Sequence, residues 1–177
     1  APWTDLLRVD VLNIIGLSMI LMGLVCRLAT VRVSEAAPGG TRIAPVSRWM
    51  TAGAAAAAGV MIALVTPQLW TTWRPRALPW FLESYLNGVH TFDVPQPWLF
   101  PLFPWAAFAL IGLAIGLLLL GEWSRRHEAG AIALLGGGGA LVGALGWWLD
   151  ARPRQLYAAY DFWHTSPNFF LIRIGVL

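Results

Sequence analysis

From Pro104 to Leu120 the chain runs through seventeen residues without a charge, and the only polar side-chain group among them is the Trp105 indole N–H. That is about the ~17–25 residues a helix needs to cross the hydrocarbon core of a bilayer. The approach to this run, PQPWLFPLFPW over residues 95–105, is stiff with proline and rich in rings. Trp105 at its start and Trp123 just beyond its end suit the headgroup level, where an apolar ring with one N–H is at home.

Composition agrees. Only 12% of the 177 residues are charged, 58% are hydrophobic, and the mean hydropathy is +0.63. A soluble domain carries about 25% charged residues. Eleven tryptophans again suit the membrane–water interface. All 12 basic residues are arginine, which a GC-rich genome explains. The net charge of +3 is small and scattered, which argues against nucleic acid as a partner. Cys26 is the single cysteine, so an intrachain disulfide is excluded.

Five spans follow from the apolar runs: about 9–29, 49–67, 104–121, 131–149 and 167–177. The last, opening with Pro167 after Ser166 as N-cap, is only half a crossing, and a half-span would leave backbone groups unpaired in lipid. The expectation is therefore an all-α integral membrane protein. It is a polytopic helix bundle with four complete transmembrane helices and the start of a fifth, forming one transmembrane domain over 1–177 that is a fragment of a longer protein. The second span is built from Gly53, five successive alanines and Gly59, a surface for close helix contact. Gly112 and Gly116 give the third span GxxxG spacing. The fourth holds Gly136 to Gly139, then Gly143 and Gly146. Four adjacent glycines cost up to ~1 kcal/mol each relative to alanine in water, so close contact with a neighbour or a small molecule, or a break in the helix, is expected. In the loop between the second and third spans, Leu78, Phe81, Leu82, Tyr85, Leu86 and Val89 recur at helical spacing. This predicts a short interfacial amphipathic helix at about 78–88.

Orientation is read from arginine. Arg27, Arg32, Arg42, Arg48, Arg125 and Arg126 fall on one side, and Arg8, Arg74, Arg76, Arg152 and Arg154 on the other. The Arg125-Arg126 doublet in a tight turn, with the four around the first linker, favours the first side as cytoplasmic.

The residues that could carry chemistry are few. No phosphate-binding glycine loop and no His/Cys cluster at metal spacing is present, so no metal is expected. His127, beside Arg126, reads as solvated. His90 and His164 each have an acid three residues away, Asp93 and Asp161, the pairing of a general base, and are weak catalytic candidates. Two interfacial polar residues are the plainer reading of the same pattern. Arg8, Asp10 and Asn13 open the first span, and Asp10 and Asn13 share a helical face. Ionisable groups at membrane depth tend to face a cavity or a partner, whereas a helix start in the headgroup region needs no such role. Arg173 lies about 9 Å past Pro167 at ~1.5 Å per residue. Either its head snorkels to water or it meets an anion, an acidic side chain or a ligand carboxylate or phosphate. Trp105, at the mouth of a glycine-bearing helix, is the one tryptophan read as a candidate contact rather than an anchor.

Three segments together resemble one family: LRVDVLNIIGLS at 7–18, LFPLFPWAAFALIGLAIG at 99–116 and FWHTSPNFFLIRIG at 162–175. Their order and spacing resemble the bacterial multi-pass acyltransferases similar to heparan-alpha-glucosaminide N-acetyltransferase. The resemblance implies transfer of an acyl group, commonly acetyl from acetyl-CoA as donor substrate, to an extracytoplasmic glycan-type acceptor, in a bacterial inner membrane. It places the family's catalytic histidine in a segment before residue 1, so no histidine here inherits that role. Arg8, Asp10, Asn13, Trp105 and Arg173 become candidate substrate-binding positions. The alternative is a non-catalytic structural or accessory subunit of a larger membrane complex, whose partners would be the bilayer and other membrane subunits.

Overall fold

The computed structural model describes residues 11–34, 45–73, 77–87, 100–153, 157, 163 and 165–177. Among them all regular structure is helical. Seven helices run in chain order: α1 (Val11–Ser34), α2 (Pro45–Thr71), α3 (Trp80–Asn87), α4 (Leu102–Leu119), α5 (Glu122–Arg126), α6 (Glu128–Asp150) and α7 (Pro167–Val176). α1, α2, α4 and α6 are long and apolar enough to cross a membrane, and α7 is a shorter apolar helix. Large apolar side chains stand exposed along them, among them Leu12, Met19, Ile20 and Leu28 on α1 and Ile132, Leu134, Leu141 and Trp147 on α6. In water such a surface would aggregate; in lipid it is the outer face of an integral membrane protein.

Two tight helix pairs organise the bundle, α2 with α4 and α6 with α7. The alanines of α2 set the first. Ala52 and Ala55 meet Ala114 of α4, with Val25 of α1 closing over them. Further along, Ala63 meets Ala107, and Phe170 of α7 caps the contact. Gly59 sits where an added Cβ would lie 3.1 Å from the Ala107 carbonyl. Small residues thus let the two backbones approach, which is how helices associate where no hydrophobic force separates them from lipid.

α2 does not stop at Pro67, where the apolar run ends in the sequence, but continues to Thr71. Pro67 lacks the N–H that would bond the Ala63 carbonyl, but hydroxyls on either side of it bond back into the helix. The buried Thr66 hydroxyl donates to the Ile62 carbonyl at 2.6 Å and the Thr71 hydroxyl to the Pro67 carbonyl at 2.8 Å. Trp70 then fixes the end by donating from Nε1 to the Phe103 carbonyl at 3.1 Å. Phe103 is itself extended (φ −98°, ψ 120°), so the continuous turns of α4 begin at Pro104, after a cis Phe103–Pro104 peptide.

The glycine-rich α6 is an unbroken helix of 23 residues. Gly139, Gly143 and Gly146 form one face against α7. A Cβ on Gly146 would lie 2.9 Å from the Asn168 carbonyl, and one on Gly175 would lie 2.5 Å from the Gly139 carbonyl. Gly136, Gly137 and Gly138 face open space. Gly112 and Gly116 also have nothing within 4 Å, so the GxxxG of α4 is not a helix contact among the described residues. α4 instead meets α2 through Ala107 and Ala114. The short α3 lies beside α2 and α4. α5 turns the chain from α4 into α6 and carries an i,i+4 ion pair between Glu122 and Arg126.

Candidate functional site

The ends of α2, α4, α6 and α7 that hold Trp70, Pro104, Asp150 and Pro167 gather at one end of the bundle. There, α4 and α7 border an open cleft of about 320 Å³ lined by Trp105, Phe108, Phe169, Arg173, Val176 and Leu177. Helical spacing produces this lining. Trp105 and Phe108 are three apart on α4, while Phe169, Arg173 and Val176 are four and then three apart on α7. Phe170, one residue round the helix, points instead to the α2–α4 seam, where its ring lies 4.8 Å from that of Phe108.

Two of the sequence candidates, Trp105 and Arg173, therefore share a wall. The Trp105 ring is held edge-on by Phe100, with centroids 5.0 Å apart at 74°, and lies 5.7 Å from Phe108. Its Nε1 is buried and has no hydrogen-bond partner among the described residues. An unpaired buried donor of this kind costs about 1–3 kcal/mol. The Arg173 guanidinium lies over the Phe169 ring at 5.1 Å and is exposed, with no carboxylate paired to it among the described residues. The cavity thus offers an apolar, aromatic body and one fixed positive charge. It suits the acid group of an amphiphile lying along the rings.

Asn13 is exposed on α1 and does not line this cavity. Arg8, Asp10, His90 and His164 lie outside the described residues. His127 is exposed in the α5–α6 turn, stacked 5.6 Å from Trp123. Among the described residues no three His, Cys, Asp or Glu side chains come together as a metal site requires.

A second polar feature was not anticipated. Between the end of α6 and the start of α7, Tyr157 donates to the Asn168 side-chain carbonyl at 3.0 Å, and the Asn168 amide donates to Asp150 at 3.4 Å. Ser166, buried, caps α7 by accepting from the Asn168 and Phe169 backbone N–H groups at 3.2 and 3.3 Å. Burial and the nearby Asp150 carboxylate push the Tyr157 phenol above its ordinary value of 10.0. Ser166 was legible as a cap, but Asn168 has no signal in the sequence that separates it from any polar residue in a first helical turn. Its partners are set by the approach of α6. The network holds the α6–α7 corner in register and so fixes where Phe169 and Arg173 face.

No protein-family model, curated protein or solved structure was found to match this chain.

Proposed function

We propose that this chain forms part of a bacterial inner-membrane acyltransferase that moves an acyl group, acetyl in the simplest case, from acyl-CoA to an extracytoplasmic glycan-type acceptor. The Trp105–Arg173 cavity holds the acid-bearing part of the acceptor. The observation that carries this reading is that Trp105 and Arg173, on helices distant in sequence, line one cavity. The three resembling segments include both residues and supply the reaction class. The single guanidinium of the cavity would neutralise one carboxylate or phosphate rather than the several phosphates of a nucleotide donor, which is why the acceptor is placed there.

A second reading has its own support. Trp, Phe, Arg, Val and Leu line the cavity, and none of these is a general base or nucleophile at neutral pH. A chain that binds and positions without reacting would look the same, as would an accessory subunit.

Labelled acetyl-CoA transfer in membranes carrying the complete protein separates the two. Transfer to a glycan acceptor, with the acceptor KM raised about tenfold or more by Arg173→Gln through loss of a charge-assisted bond, supports the enzyme. Absence of transfer to every acceptor tried, or an Arg173→Gln variant indistinguishable from the parent, overturns it.

A further inference from the structure

At the far end of the bundle from Trp105, two cavities adjoin where α2 begins and α4, α5 and α6 meet. One, about 330 Å³, is walled by Trp49, Ile115, Leu119, Leu134 and Leu135. The other, about 480 Å³, is lined by Arg48, Arg125, Arg126 and Glu122 around Leu120. Arg48 and Glu122 border both, so the apolar and basic spaces adjoin.

Only one ion pair forms among these charges in the described residues. Arg126 is paired with Glu122. Arg48 places one N–H on the Leu120 carbonyl at 2.8 Å, closing the end of α4. A guanidinium has five donors, so most of Arg48 is still available. The Arg125 side chain is exposed and has no hydrogen bond or ion pair among the described residues. Three guanidiniums thus face one carboxylate, above a groove that opens along the lipid-facing flank of α4 and α6.

We propose that this composite pocket binds one anionic phospholipid. Its phosphate sits among Arg48, Arg125 and Arg126, and an acyl chain lies in the groove between α4 and α6. Charge complementarity selects an anionic headgroup, and the groove, which a free anion would leave empty, selects a lipid. Basic pockets between transmembrane helices hold headgroups in this way. The inference does not depend on the acyltransferase reading, since it concerns the opposite end of the bundle.

Native mass spectrometry of the full chain, released from detergent with equal dioleoyl-phosphatidylglycerol and dioleoyl-phosphatidylcholine, tests it. One phosphatidylglycerol is expected to stay bound in preference to phosphatidylcholine. The paired variant Arg125→Gln with Arg126→Gln weakens retention by about fivefold per arginine, the equivalent of ~1 kcal/mol for each cation near an anionic surface. The paired Lys variant restores it. Leu134→Gln, on an exposed side chain of the groove, weakens retention with every arginine intact. Equal retention of phosphatidylcholine, unchanged retention by the Gln pair or by Leu134→Gln, or displacement of the lipid by glycerol 3-phosphate at matched concentration would each overturn the proposal.

Discussion

Replacing Gly175 by alanine adds one methyl group at the tightest point between α6 and α7. The new Cβ would lie 2.5 Å from the Gly139 carbonyl oxygen and 2.6 Å from the Gly143 Cα, both backbone atoms. Ordinary heavy-atom contact begins near ~3.5 Å, so the two helices must part by about 1 Å to admit it. Backbone cannot rotate aside as a side chain can. Overpacking of this kind costs about 1–3 kcal/mol, and alanine returns at most ~1 kcal/mol of helix propensity. Gly175 lies in the last turn of α7, where little of that propensity is returned, so the net expectation is a loss of about 1–3 kcal/mol. The same substitution at Gly137, on the open side of α6 with nothing within 4 Å, meets no clash. It should be stabilising by about 0.5–1 kcal/mol. The two variants differ from the parent by the same methyl group and should move in opposite directions. Thermal unfolding in detergent, followed by circular dichroism with all three proteins side by side, reads the order directly. A Gly175→Ala protein as stable as the parent or more so would refute the close approach of α6 and α7 and the role given to the glycine face.

Ser166→Ala removes the acceptor shared by the Asn168 and Phe169 N–H groups and should cost about 1 kcal/mol in the same assay, with Ser166→Thr close to the parent. Tyr157 has a raised pKa in the folded state, so the folded protein holds its proton longer than the unfolded chain does. Its contribution is complete below the ordinary value of 10.0 and is lost as pH rises through the higher folded value. Tyr157→Phe should therefore flatten the alkaline limb of a stability–pH curve, and an unchanged limb would show that the phenol does not titrate in this way.

The number and order of the crossings were legible because length and lack of charge are written along the chain, as in 104–120. Ends were less so. The extension of α2 past Pro67 rests on Trp70 reaching Phe103, a contact between segments far apart in sequence. α5 is five residues long and too short for periodicity, although Glu122 and Arg126 at i,i+4 were there to be read. Small residues show where backbones can approach but not where they do. Gly112 and Gly116 have the spacing of a contact and make none among the described residues, while Gly139 and Gly143 meet Gly175 of α7 and Gly146 meets the first turns of α7 at Asn168 and Ile172. The site divides in the same way. Trp105 and Arg173 stood out as an indole at a helix mouth and a charge inside an apolar run. Their meeting depends on Phe169 and Phe108 sharing a helical face with them, and only the register of α4 against α7 decides that.

The pairing of α6 with α7 also bears on how the protein is made. α2 and α4 both precede α6 in the chain, so their alanine seam can close while synthesis continues. α6 has no such opportunity. Among the described helices its extensive contact is with α7, which emerges from the ribosome only after the segment 151–166. Before α7 is made, the α6 glycine face lacks the α7 partner it meets in the fold. A ribosome stalled between α6 and α7 would leave a crossing helix without its main partner among the described helices.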